Sequence, residues 1–261
     1  AYVGTAHSLD SNFKSKVMNA LFAAGTLRIY KKNPVLAKTS AAKEELRQLG
    51  VPHAVIAPVG LDTAVLKKNI PADEKMRLRK EHGFEADDVI LCNVSRLSWE
   101  KRPLELIDLF LQVKGKKKFK LIIVGNGPLE EELNEKIRKN GLEKEVKIYP
   151  NVPYEKMWEI YEMSDYYLNM NKGEIFGMAI MEAVYYKTSV AAIRALGPSV
   201  TLKDMKGHKL CENDDEMAEW ITGPYPSEKD LQESSEKMAA TFTWDRCADA
   251  FLQASSEKSS R

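Results

Sequence analysis

Two apolar runs joined by a helical stretch most constrain the fold. Val89–Val94 and Phe119–Val124 are near-continuous stretches rich in Val, Ile and Leu, as expected of parallel strands covered on both faces. Between them Leu104, Ile107, Phe110 and Leu111 recur at helical spacing behind Pro103, a residue tolerated at a first helical position. The segment reads as a βαβ unit. The next helix is signed at both ends. Pro128 opens it, Leu129, Leu133 and Ile137 form its apolar stripe, Glu130 to Glu132 sit early, Lys136, Arg138 and Lys139 sit late, and Gly141 stops it. Its charges complement the helix dipole.

Further strands are expected at 146–149, 166–170 and 189–193, separated by helices near 155–163 and 177–186. After 208–211 come polar helices near 215–222 and 228–240, then an amphipathic one carrying Trp244, Cys247, Phe251 and Leu252. This alternation predicts an α/β fold, a doubly wound parallel Rossmann-like sheet. Residues 1–60 behave differently. Strands at 2–6, 35–39 and 54–59 with helices at 13–27 and 41–49 are too few to close an α/β core. They read as the last part of a second Rossmann-like domain, 1–62, followed by the polar stretch 67–80 as boundary to a domain over 63–261. The chain begins at Ala1 rather than Met, and its element order leads us to expect roughly 100 further residues of the first domain upstream.

Composition narrows the partners. The 261 residues are 44% hydrophobic and 30% charged, a balance that excludes disorder, collagen and a coiled coil. Lys and Arg number 39 against 38 Asp and Glu, for a net charge of +1, so there is no global attraction to nucleic acid or to an anionic membrane. No nucleic-acid partner is expected, since aromatic residues are not interleaved with a basic stripe. The longest uncharged stretches, 17–27 and 51–61, are about half of the ~20 apolar residues a membrane-spanning helix needs. Cys92, Cys211 and Cys247 are far apart and form no Cys-x-x-Cys pair, which fits reduced thiols in a cytoplasm. Residues 114–120 carry five lysines. They read as a solvated loop, with peripheral contact to the inner face of a cell membrane left open. Neither Asp-x-Asp nor His-Glu-x-x-His occurs, so no metal or other cofactor is expected.

A nucleoside diphosphate needs cations and backbone N–H groups at its phosphates and an acceptor side chain at its ribose. Arg96 and Lys101 lie in Val94-Ser-Arg-Leu-Ser-Trp-Glu-Lys-Arg-Pro103, on the loop after a parallel strand, where open α/β sheets bind ligands. Taken singly, an Arg or Lys at such a place reads first as a solvated turn cation. Val124-Gly-Asn-Gly-Pro128 turns from strand to helix, and Gly125 and Gly127 allow close backbone approach, either to a ligand or to close a tight turn. Glu174-Ile-Phe-Gly-Met-Ala-Ile-Met-Glu182 sets one carboxylate before a helix and another about two turns inside it. Gly177 leaves the helix N-terminal N–H groups able to face an anion. Alone, the two glutamates are equally a helix cap and a solvated face.

In this order the three segments resemble the donor-binding half of retaining glycosyltransferase family 4, enzymes of the GT-B fold, over about residues 35–251. Pro58-Val-Gly-Leu-Asp62 is similar to the family's junction between two Rossmann-like domains, and Thr5-Ala-His7 to the strand end whose histidine faces the donor sugar. The resemblance implies that Arg96 and Lys101 hold the diphosphate and neutralise the leaving group. It implies that Glu174 contacts the transferred hexose and Glu182 the ribose, and that Phe176, Gly177 and Met178 offer backbone N–H groups to sugar and phosphate. Gly125 and Gly127 would line the donor, Asn151 and Val152 would hold the base, and His7 would touch sugar or diphosphate.

The implied activity is metal-independent transfer of a hexose from a nucleotide-diphosphate sugar, UDP-hexose favoured, to an acceptor hydroxyl with retention of configuration. Cell-envelope or polysaccharide synthesis is the implied setting, with a glycan, lipid or protein acceptor left open. The alternatives are a GT-B nucleotide-sugar epimerase and a nucleotide-sugar-binding partner module without activity of its own. The chain departs from the family at 185–189, where a glycine and a proline are usual. It departs again at 195–202, where no acidic residue follows the proline.

Overall fold

The computed structural model describes residues 24–259 except 58 and 64. Its contacts divide the chain into two compact units, Leu61–Thr243 and Ala1–Gly60 with Trp244–Arg261. In the larger unit the described residues form a six-stranded parallel sheet in the order β5-β4-β3-β6-β7-β8. These strands are β3 (Val89–Val94), β4 (Phe119–Val124), β5 (Val146–Tyr149), β6 (Tyr166–Asn169), β7 (Ser189–Ile193) and β8 (Lys209–Cys211). β3 and β4 pair in line from Val89 opposite Phe119 to Val94 opposite Val124. β6 lies against the other side of β3, with Leu91 opposite Tyr166. This is the doubly wound order expected from the sequence.

Both faces of the sheet are covered, which is why its strands read as apolar runs. On one face Leu91, Leu121, Ile123 and Leu168 pack with α3 (Pro103–Val113), α4 (Glu130–Lys139) and α8 (Asp214–Thr222) in the main core. α3 contributes Leu106, Ile107, Phe110 and Val113. Against the other face lie α5 (Met157–Met163) and α6 (Met178–Tyr185). α2 (Glu74–Glu81) packs on α5, and α9 (Glu228–Thr241) packs on α6.

Three sequence expectations are corrected. The polar stretch 67–80 is no boundary linker, because it leads into α2. That helix buries only Leu78 and Arg79 and is held by charge instead of an apolar stripe. Arg79 Nη2 bonds Asp165 Oδ2 at 2.6 Å, Nε donates to Met163 O at 2.9 Å, and Nη1 to Asp88 O at 3.2 Å. Asp165 also accepts from Ile90 N–H and Lys75 Nζ, so one carboxylate ties α2 to the start of the sheet. Secondly, residues 195–202, which carry no expected element, form a short helix, α7 (Leu196–Thr201). Thirdly, the division falls after Gly60 and after Thr243, and the final helix α10 (Trp244–Ser259) groups with the smaller unit instead of a domain over 63–261. The physical reason is that α10 packs on β2 (Val55–Ile56).

The smaller unit also contains β1 (Leu36–Ala37) and α1 (Ser40–Gln48). β1 pairs with β2 in parallel, so this too is a βαβ unit. The Thr39 hydroxyl caps α1 by accepting the Ala42 N–H at 3.0 Å, and Tyr30, Val35, Val51 and Ala54 form a small core. The strand expected at 2–6 lies outside the described residues, as does most of the helix expected at 13–27.

Cys92 and Cys211 are buried, and burial pushes both thiols up to about 12. Among the described residues no helix is long and apolar enough to cross a membrane. In the lysine run, Lys117 donates to Ile221 O and Gly223 O, and Lys118 pairs with Asp87.

Removing one partner from a buried ion pair leaves an uncompensated charge, which costs about 3–5 kcal/mol. Arg79→Ala is therefore expected to destabilise the larger unit by about 3 kcal/mol, whereas Arg77→Ala, on the exposed side of the same helix, changes stability by less than about 0.5 kcal/mol. Urea unfolding of both variants checks this, and equal midpoints would contradict the anchoring role of Arg79.

Candidate functional site

Because the order reverses between β3 and β6, their following loops diverge and leave a crevice at the carboxyl ends. There one polar side chain joins the two strands and two others shape the turns that follow them. Asn93 Nδ2 donates to Leu168 O at 2.7 Å, the Ser95 hydroxyl donates to Asn93 Oδ1 at 2.8 Å, and Asn169 Oδ1 accepts the Asn171 N–H at 3.0 Å. Residues 95–97 then press onto the turn after β4. Leu97 N–H donates to Asn126 O at 2.8 Å and Leu129 N–H to Leu97 O at 3.1 Å. A Cβ on Gly125 would lie 2.0 Å from Ser95 O, and one on Gly127 2.4 Å from Leu97 O. The two glycines thus serve loop-to-loop packing, and a methyl group at either would push the Arg96 loop out of place.

Arg102 fixes the far end of that loop. It adopts a left-handed φ of 55°, donates to Asp214 at 3.1 and 2.9 Å and reaches Met170 O at 3.4 Å. Lys101, on the 3-10 turn Trp99–Lys101, thereby meets Glu174, with Nζ 2.8 Å from Oε2. Asn171 Nδ2 donates to the same oxygen at 3.1 Å. Burial alone would raise the Glu174 pKa, but the Lys101 hydrogen bond and charge, with Asn171 and the Phe176 N–H, outweigh it and hold the carboxyl below its ordinary value. Arg96 is exposed on the same loop.

Gly177 caps α6 in the left-handed region, φ 85° and ψ 65°, and no side chain caps that terminus. Its first N–H groups are therefore available to an acceptor outside the helix. Phe176 is buried against Phe242, with ring centroids 6.0 Å apart, and Met178 is exposed. The Gly197 N–H of α7 donates to Glu174 O at 2.8 Å, and a Cβ at Gly197 would lie 2.4 Å from Phe176 N. The segment that departs from the family at 195–202 thus supports the 174–177 turn.

Glu182 lies within α6 at 8% exposure. Its Oε2 accepts from the Tyr161 hydroxyl at 2.8 Å and its Oε1 from Tyr154 at 3.3 Å. Burial raises its pKa, and the two hydroxyls offset part of that rise. Asn151 is exposed after β5, where its Oδ1 accepts from Asn126 Nδ2 at 3.0 Å, beside a half-buried Val152. His7 lies outside the described residues.

Arg96, Lys101, Glu174, Phe176, Gly177, Met178 and Glu182 all fall on the β3 and β6 loops or on the helix that follows β6. Asn171, Arg102, Asp214, Tyr154 and Tyr161 were missed. Asn171 lies only three residues before its partner Glu174, but the partners of the other four lie 21 to 112 residues away, which no local spacing signals.

Residues 74–238 match the family described as Glycosyl transferases group 1, and the chain belongs to that family. D-inositol 3-phosphate glycosyltransferase of Mycobacterium avium is 26% identical over 235 residues, 80% of this chain and 52% of that protein. The chain spans about half the length of the curated relatives it matches. Among solved structures, Anabaena Alr3699/HepE in complex with UDP and glucose is similar with a TM-score of 0.72 and 20% identity, covering 90% of this chain and 67% of that one. Sucrose-phosphate synthase from Thermosynechococcus elongatus has a TM-score of 0.76 and 17% identity, covering 98% and 64%. The larger unit accordingly has the Rossmann-like architecture of GT-B glycosyltransferases.

Glu182 is a carboxylate whose folded-state pKa is raised, so its charged form costs stability. The cost is absent below the unfolded carboxylate pKa, sets in as pH rises, and is complete above the folded pKa. Glu182→Gln is expected to raise the melting temperature at pH 7, with the gain shrinking toward pH 4. Melting curves across that range check the sign, and a gain that grows on acidification would contradict it.

Proposed function

We propose that the protein transfers a hexose from a nucleotide-diphosphate sugar, UDP-hexose favoured, to an acceptor hydroxyl with retention of configuration. The observation that carries this reading is the Lys101–Glu174 pair, set at the sheet's reversal point within three residues of the uncapped α6 N-terminus. One Lys101 N–H is used by Glu174, and an ammonium has three donors. The other two can hold phosphate oxygens while Glu174 Oε1 accepts from a sugar hydroxyl.

Breaking the sugar–phosphate bond puts negative charge on the diphosphate and positive charge on the sugar ring. Lys101, Arg96 and the N–H groups of α6 are preorganised for the first, and the ionised Glu174 suits the second. The bond pair leaves with the diphosphate. The acceptor oxygen then attacks the face being vacated, and a phosphate oxygen takes its proton. Glu182 would hold ribose hydroxyls, with Asn151 and Val152 near the base. In this reading Lys101, Arg96 and the α6 N–H groups meet the charge on the diphosphate, and no metal takes part.

Nucleotide release from UDP-glucose, UDP-galactose, UDP-N-acetylglucosamine and GDP-mannose, followed with and without acceptors, tests the reading. The expected result is acceptor-dependent release that persists in excess chelator. Release without any acceptor would instead favour an epimerase, and binding without release a partner module. The double variant Arg96→Ala/Lys101→Ala is expected to lose about a hundredfold or more in kcat, and wild-type turnover in it would refute the assigned roles.

A further inference from the structure

The two hydroxyls on Glu182 are not equivalent. Tyr161 is 1% exposed, its ring stacks on Tyr186 with centroids 5.9 Å apart, and its hydrogen bond is the shorter one. It is a fixed part of the core. Tyr154 sits on the single 3-10 turn Tyr154–Lys156 after β5, is 49% exposed, and makes the longer bond of 3.3 Å to Oε1. Glu182 itself is almost fully covered, so Tyr154 is the solvent-facing group of the two that reach its carboxylate. A phenol and a ribose hydroxyl are both O–H donors seeking the same acceptor, and the space beside Oε1 is filled by one of them.

We propose that Tyr154 competes with a nucleotide's ribose for Oε1 of Glu182 and thereby lowers the protein's affinity for its own nucleoside diphosphate. This rests on the reading of Glu182 as the ribose acceptor. Tyr161 keeps the carboxylate in place through Oε2, and Tyr154 swings outward on its exposed turn when a ribose hydroxyl takes Oε1. Tyr154 is thus a residue that sets donor affinity through Glu182, while Tyr161 is a positioning residue. Exchanging one hydroxyl for another at the same oxygen changes affinity by the net worth of one hydrogen bond, about threefold to tenfold.

The test is calorimetric titration of wild type, Tyr154→Phe and Glu182→Ala, which leaves no acceptor at that position, with whichever of UDP and GDP binds wild type more tightly, and with its 2′-deoxy and 3′-deoxy analogues. Tyr154→Phe is expected to bind the ribonucleotide about threefold to tenfold more tightly. It should show no such gain with the analogue lacking the hydroxyl that Glu182 accepts. Glu182→Ala tests the underlying reading separately: it should lose wild type's preference for the ribonucleotide over that analogue. If Glu182→Ala loses that preference while Tyr154→Phe binds the ribonucleotide equally or more weakly, the competition is overturned and the ribose reading stands. If Glu182→Ala keeps the preference, or neither UDP nor GDP binds wild type, the ribose reading fails and the competition with it.

Discussion

The reversal of strand order between β3 and β6 is the constraint from which the site follows. Where neighbouring parallel strands send their chains in opposite directions, a crevice opens that backbone pairing cannot fill. Here it is framed by polar side chains and by backbone packed on backbone. Asn93 holds the ends of β3 and β6 together, Asn169 shapes the turn after β6, and the 95–97 backbone lies on the 125–129 turn so closely that Gly125 has no room for a Cβ. Arg102 clamps the loop to Asp214 at the start of α8. Only with those three restraints in place does Lys101 arrive at Glu174 from 73 positions away in sequence.

The two glutamates of the 174–182 segment are then pulled in opposite directions. Glu174 is half-buried against a cation, which favours its ionised form, whereas Glu182 is buried against hydroxyls and is harder to ionise. Burying a carboxylate without a countercharge is costly, and a helix in a purely structural role would place an apolar residue at position 182. That local conflict is of the kind expected at a binding site, where stability is lost to keep an acceptor in a defined position.

Much of the sheet was legible in the sequence. β3, β4, β5 and β7 fall on the expected residues because both of their faces are covered, so side-chain chemistry alone marks them. What escaped is held by other forces. α2 carries eight residues, EKMRLRKE, with one buried Leu, and its anchor is a guanidinium whose partner Asp165 lies 86 residues on. α7 contains Gly197 and Pro198, which read as loop. Yet Gly197 is needed where α7 meets the backbone of Phe176, and Pro198 sits in the first turn, where a missing N–H costs nothing. At 185–189 Lys187 takes a left-handed φ of 61° in the position where a glycine is usual, a strained choice that periodicity cannot reveal. Within the site the residue types were readable and their partners were not, since Tyr154, Tyr161 and Arg102 act through side-chain contacts with no fixed spacing.

The most direct test is a crystal structure of the protein with bound UDP. The account predicts a diphosphate within hydrogen-bonding distance of Lys101 Nζ and of the first N–H groups of α6, with the ribose beside Glu182. A nucleotide bound elsewhere, for instance among Lys67, Lys75 and Lys187 in the groove between α2 and the end of α6, would contradict it.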